Sequence, residues 1–262
     1  MSEFFPSTPI RIGLCIACGE EPEAFTRRLG LPARHFEPVA VRPEPGESPE
    51  DFVRRIGERW PDLCGLVLMA NAPDEGRVAV SLNEVRPDLP VERQARLTDP
   101  VLRENFISRV YVHAHWQRVR QAGLTRGALQ AFHSRYKYQL MASDRPDFQR
   151  LGKLLGESGD LPLESLAHDY FSQLMAALSQ PATHGGHCNA LQHIAGYLKR
   201  VLSPAERQEL AQLIDRYRLG HVPLLAPLTL LREHFQRHPD AYIAGQSYLQ
   251  PHPDELGLLE GL

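Results

Sequence analysis

The 262-residue chain has no apolar run long enough to cross a bilayer as a helix and no basic-then-apolar leader. Those two absences point to a cytoplasmic protein with no membrane partner. Cysteine is scarce: Cys15, Cys18, Cys64 and Cys188 are too few for a disulfide scaffold, and a chain of this length buries a core without one. Neither GxxxxGK[ST] nor GxGxxG occurs, so no loop is marked for cradling a nucleotide phosphate. There is no GxSxG elbow and no HExxH, which leaves serine-hydrolase and zincin chemistry without a signature. Internal repeats and low-complexity tracts are also missing.

What is present is an uneven distribution of charge. The net charge is −3, but residues 1–99 hold 12 Lys/Arg against 17 Asp/Glu and residues 151–262 hold 8 against 12. Between them, residues 100–150 hold 9 against 3. A local cationic excess attracts polyanions even when the total is acidic. Inside it lies HSRYKYQLM (133–141), which carries His133, Arg135, Lys137 and two tyrosines with no acid.

The first ninety residues alternate strand and helix patterns. IRIGLCIA (10–17), FEPVAV (36–41), LCGLVLMA (63–70) and RVAVSL (77–82) read as strands. SPEDFVRRIGERW (48–60) reads as a helix with Ser48 as N-cap and Asp51 at the capping-box position. The expected fold class is an α/β N-terminal domain with a small, mostly parallel sheet (1–98), followed by an all-α C-terminal domain (99–262). RPDLPVERQARLTDP is expected to be the polar connection that ends the sheet. Beyond it, helices are expected over 99–124, which connects the two, and over 125–142, 146–156, 162–179, 187–202, 203–220 and 224–237. The tail from Pro239 reads as irregular.

Several clusters are chemically suggestive. CIAC (15–18) is a C-x-x-C after a strand, readable as a redox pair or half a metal site, though no second ligand pair lies close. His184, His187 and His193 are poorly spaced for zinc. On the helix starting near His187, the residues Asn189, His193, Gly196, Tyr197 and Arg200 share one polar and aromatic face, which suits either a binding surface or an interhelical hydrogen-bond network. RYRLG (216–220) ends a helix with Arg216 and Arg218, a placement the helix dipole favours by itself.

HSRYKY, PATHGGHCNALQHIAGYLKR, SPAERQEL, RYRLGHVPLLAPLTLLREHF and AYIAGQSYLQPHPDEL occur in order over roughly 125–256 and resemble the YbgA-like helical domain. LPVERQARLTDPVLRENFISRVYVHAHWQ is similar to the end of a thiouracil desulfidase (TudS-like) domain. The resemblance implies a tRNA 4-thiouridine desulfidase lineage, in which an iron–sulfur domain removes sulfur and the helical domain helps hold tRNA. Active members carry three cysteine ligands for a [4Fe–4S] cluster. Here Glu21 and Glu75 stand where two of them should be, Asp74 replaces an adjacent serine, and the acid of the second motif is matched by Glu23, the one candidate catalytic residue. Carboxylates hold such clusters poorly. The expectation is a cluster-less N-terminal domain without a cofactor, the alternative a rearranged [4Fe–4S] site on Cys15, Cys18 and Cys64.

RNA recognition uses Arg and Lys on phosphates with aromatic or guanidinium planes against bases. The expected tRNA-contacting residues are His133, Arg135, Lys137, Tyr138, His187, Asn189, His193, Tyr197, Arg200, Arg216 and Arg218, extended by Arg103, Arg109, Arg118 and Arg120. The competing functions are active desulfidation and a scaffold that meets an acidic protein.

Overall fold

A computed structural model describes residues 5–15, 27, 31–69, 75–157, 159, 161–260 and 262. The chain divides into two compact units, Met1–Leu124 and Thr125–Leu262.

The first unit is built on a parallel sheet of order β2-β1-β3-β4, from β1 (Ile10–Cys15), β2 (Phe36–Val41), β3 (Gly65–Leu68) and β4 (Val91–Arg93). The central strands read as apolar runs because helices cover both faces of such a sheet. Pro38 sits in β2 at an edge, where a missing N–H costs no ladder bond on the open side. Helix α1 (Pro49–Arg59) starts as expected, with the Ser48 hydroxyl accepting from the Asp51 amide at 3.1 Å.

RVAVSL is not a strand. It lies in helix α2 (Glu75–Val85), and the pattern of burial gives the reason. A strand would turn Val78, Val80 and Leu82 to one side; the helix buries Val78 and Leu82, one turn apart, and leaves Val80 57 % exposed. The fourth strand is instead the three residues of β4, inside the stretch read as a connection. Helix α3 (Pro100–Gln121) is capped by Asp99, whose carboxylate accepts from the Val101 and Leu102 amides. Its Phe106 and Val110 close over Gly65 of β3 so tightly that a methyl group there would come within 2.7 Å of Val110.

The second unit is all helical: α4 (Arg126–Ser143), α5 (Arg145–Gly156), α6 (Leu163–Leu178), α7 (His184–Ala195), α8 (Pro204–Arg218) and α9 (Leu225–Arg237). The fold class is therefore a small parallel α/β sheet followed by a helix-rich region. Helix α4 is at the centre, contacting α5, α6, α7 and the tail. Its Leu129, Phe132, Tyr136 and Leu140 form the expected buried stripe, and Tyr138 and Met141 are buried as well. A single stripe suits a surface helix; burial on further sides marks an interior one. Helix α8 opens with a complete capping box: the Ser203 hydroxyl accepts from the Glu206 amide, and the Glu206 carboxylate accepts from the Ser203 amide. These bonds hold the Glu206 carboxyl down at about 2. The helix is followed by Gly220 at φ +74°, a left-handed position that glycine fills without strain. The tail is more ordered than its sequence suggests, with short helical turns at Ala241–Ala244, Ser247–Leu249 and Asp254–Leu256.

The crossing of α4 and α7 depends on Gly186. A methyl group built there would stand 2.0 Å from the Ala142 carbonyl oxygen, a backbone atom that cannot swing aside. Gly186→Ala is expected to lower stability by about 1–3 kcal/mol, the usual range for overpacking. Gly185→Ala, whose methyl would meet only Thr183 Oγ1 at 3.8 Å, should be neutral or slightly stabilising. Thermal melts of the two variants check the contrast.

Candidate nucleic-acid interface

The HSRYKYQLM segment proves to be mostly a knot of packing. His133 stacks on Phe148 of α5 with the rings 1° from parallel, and its Nδ1 lies 3.2 Å from the Tyr170 hydroxyl of α6. Burial and the nearby Lys137 lower its pKa, so the ring is neutral at pH 7. Arg135 Nη1 donates to the Gly245 carbonyl in the tail at 3.2 Å. Neither residue presents a free charge to a ligand. Tyr138 is buried; desolvation above all pushes its hydroxyl pKa well up and keeps it neutral. The Lys137 ammonium lies 5.2 Å from the Tyr138 ring centroid and 5.8 Å from that of Tyr242, within cation–π range of both.

The α7 face divides in a similar way. His187 Nδ1 lies 2.8 Å from the Tyr248 hydroxyl and its ring meets Tyr217 edge-on, so it serves the core. Asn189 is half-buried, while His193, Tyr197 and Arg200 are exposed. Arg216 is exposed, and Arg218 pairs with Asp215 at 3.2 Å.

A groove of about 1030 Å³ runs between the end of α7, with the turn that follows it, and α8. Tyr197, Lys199, Arg200 and Arg207 line it, over an apolar floor that includes Leu202, Leu210 and Ile214. Tyr197 is 42 % exposed, and its ring is stacked on Tyr242 at 5.8 Å. Arg207 Nη1 donates to the carbonyls of Lys199 and Leu202, bracing the turn that carries the other two cations. Among the described residues, no side-chain hydrogen bond or ion pair engages Lys199 or Arg200. The acid in the lining, Asp215, is already held by Arg218. The structure thus gathers Tyr197 and Arg200 of the expected set into one groove, where Tyr197 stacks on Tyr242, whose ring also lies within cation–π range of Lys137.

Sequence reasoning missed Lys199, Arg207 and Tyr242. A signal for the first two was available: only Val201 and Leu202 separate Arg200 from the Ser203 cap of α8. So short a link makes the two segments neighbours and turns Arg207 toward the same crevice.

In the first unit, Arg109 is buried, donates through Nε to Asn105 and has its pKa lowered to about 10 by desolvation, so it cannot extend a cationic surface. Arg103 and Arg118 are half-buried and Arg120 exposed, all in this unit rather than in the helical one. Cys15 ends β1 beside Leu68, whereas Cys64 precedes β3 and its amide bonds the Arg11 carbonyl. The two residues therefore lie at opposite ends of paired strands, separated by roughly 13 Å of backbone along the strand at about 3.3 Å per residue. Burial also pushes the Cys64 thiol up to about 12, which makes it a poor thiolate. Cys18, Glu21, Glu23 and Asp74, and the side chain of Glu75, lie outside the described residues. Among the described residues no three His, Cys, Asp or Glu side chains converge as metal ligands.

The first unit does hold a half-buried ionic contact. His113 Nε2 is 3.3 Å from Asp88 Oδ2, and Arg86 binds both carboxylate oxygens of Asp88 at 3.0 and 3.1 Å. Burial alone would raise the Asp88 pKa; the bonds from His113 and Arg86 outweigh it and hold the carboxyl well below its usual range. Desolvation keeps His113 neutral despite the carboxylate.

An α/β unit joined to a helical unit with a basic, tyrosine-lined groove is the class of protein defined here. Residues 137–253 match the family described as a protein of unknown function, DUF1722. The chain is 35 % identical over 156 residues to the uncharacterized protein YbgA of Escherichia coli (strain K12), covering 59 % of this chain and 92 % of that protein. The chain belongs to this YbgA-like family. No solved structure matches it.

The lowered pKa values set the sign of the pH response. His113 and His133 are neutral in the folded chain but take up a proton near 6.5 when unfolded, so the unfolded state binds more protons below that pH. Stability should be full above about pH 6.5 and fall on acidification. Melting temperatures between pH 7.5 and 5 check this, with a shallower decline expected for His113→Gln.

Proposed function

We propose that the helical unit binds RNA, with tRNA the best-supported partner, and that the chain acts as a binding protein of the thiouridine desulfidase lineage rather than as a desulfidase. The observation that carries the reading is the groove itself. Two cations with no partner among the described residues, Lys199 and Arg200, stand beside Tyr197, an exposed ring fixed from behind by Tyr242. Ammonium and guanidinium groups left open to solvent suit phosphates, and a preset ring suits a base. The resemblance to tRNA-handling fusions supplies the RNA class. The separation of Cys15 from Cys64 along the strands argues against the rearranged iron–sulfur site.

Titration of the full chain with tRNA at increasing salt tests the reading. Affinity should fall steeply, because each phosphate contact releases counterions. The double variant Lys199→Ala, Arg200→Ala should bind more weakly and reduce the log–log salt slope by about 1.4, or about 0.7 per lost contact on a single strand. Tyr197→Ala should cost about 1–3 kcal/mol, with Tyr197→Trp restoring much of it. A double variant that binds tRNA like the parent would refute the proposal.

A further inference from the structure

Phosphate attraction accounts for the rim of the groove but not for its floor. Beneath Lys199, Arg200 and Arg207 lie Ala195, Leu202, Leu210, Ala211 and Ile214, an apolar bed with no charge to offer a phosphate. A paired helix keeps its bases stacked inside and presents phosphates and 2′-hydroxyls, so it has nothing apolar to lay on such a bed. An unpaired base has a broad apolar face and a phosphate within reach on either side. The groove, at about 1030 Å³, reaches the top of the ~300–1,000 Å³ span of small-ligand pockets, leaving room beyond a single base. Tyr197 adds a preset stacking surface, since one face is already engaged by Tyr242 and little freedom is lost when a base arrives.

We infer that this groove takes unpaired nucleotides of a single-stranded RNA segment in preference to double helix, with bases on the apolar floor and against Tyr197 and phosphates on Lys199 and Arg200. The inference deepens the RNA-binding reading and rests on it. Arg207 acts as a positioning residue, since its bonds to the Lys199 and Leu202 carbonyls hold the turn that presents the cations.

The test uses the full chain with two labelled RNAs: a stem carrying a long unpaired loop, and a fully paired duplex of the same length. The looped RNA should bind about tenfold tighter, within the worth of one base–aromatic stack. Ala211→Trp, at an exposed position of α8, fills the floor from the side and should abolish that advantage. A 2-aminopurine in the loop should change its emission on binding the parent and much less on binding Ala211→Trp. Circular dichroism melts establish that the variant is folded; if it is not, Gln192→Trp on the facing wall asks the same question. Equal affinity for the two RNAs, or a filled groove that keeps the full preference, overturns the inference. If both RNAs still weaken with Lys199→Ala, Arg200→Ala, the RNA-binding reading stands without it. If neither RNA binds, both fall.

Discussion

The helical unit depends on satisfying the polar groups of a helix that runs through its interior. Helix α4 carries His133, Arg135, Lys137 and Gln139 into surroundings where an unpartnered donor is costly. Each finds a specific answer. A tyrosine hydroxyl meets His133, the Gly245 carbonyl takes Arg135, two rings flank Lys137, and Gln139 accepts from Ser247 at 3.0 Å. The backbone of α4 is used too: Gln246 Nε2 donates to the Ser134 carbonyl and the Ser247 hydroxyl to that of Arg135. A segment that reads as a cationic surface is therefore largely the adhesive of the bundle, because charge and aromaticity serve burial as readily as display.

That distinction explains what was legible in the sequence. Element type followed from periodicity and caps wherever both agreed, as in α1, α3 and α8, and the buried stripe of α4 was visible as Leu129, Phe132, Tyr136 and Leu140. It failed at Val78–Leu82, where a short apolar run fits either period and only packing decides, and at β4, too short to show an alternation. The candidate site was half legible. Tyr197 and Arg200 were recognisable from one helical face, but Arg207 and Tyr242 reach the same place from other elements. The charge count over 100–150 does not reveal that Arg109 is buried and that Arg135 gives one of its donors to the Gly245 carbonyl, because a formal count carries no burial or bonding.

The groove has the opposite character. Lys199 and Arg200 are left open while Asp215 is occupied by Arg218, and the exposed Tyr197 ring is stacked from behind. A pre-positioned ring of this kind gives up little entropy on binding. Tyr242 thus links the interior to the groove, since its ring lies beside Lys137 on one side and stacks on Tyr197 on the other.

The bonds between α4 and the segment around Ser247 join residues 108 to 112 positions apart in the chain. During synthesis at about 5–20 residues per second, the helix emerges from the ribosome several seconds before its partners exist. Through that interval its polar flank has only water, or another molecule, to lean on. The unit consequently reaches its final form late, and a nascent chain halted before Gly245 would expose a surface that the finished protein never shows.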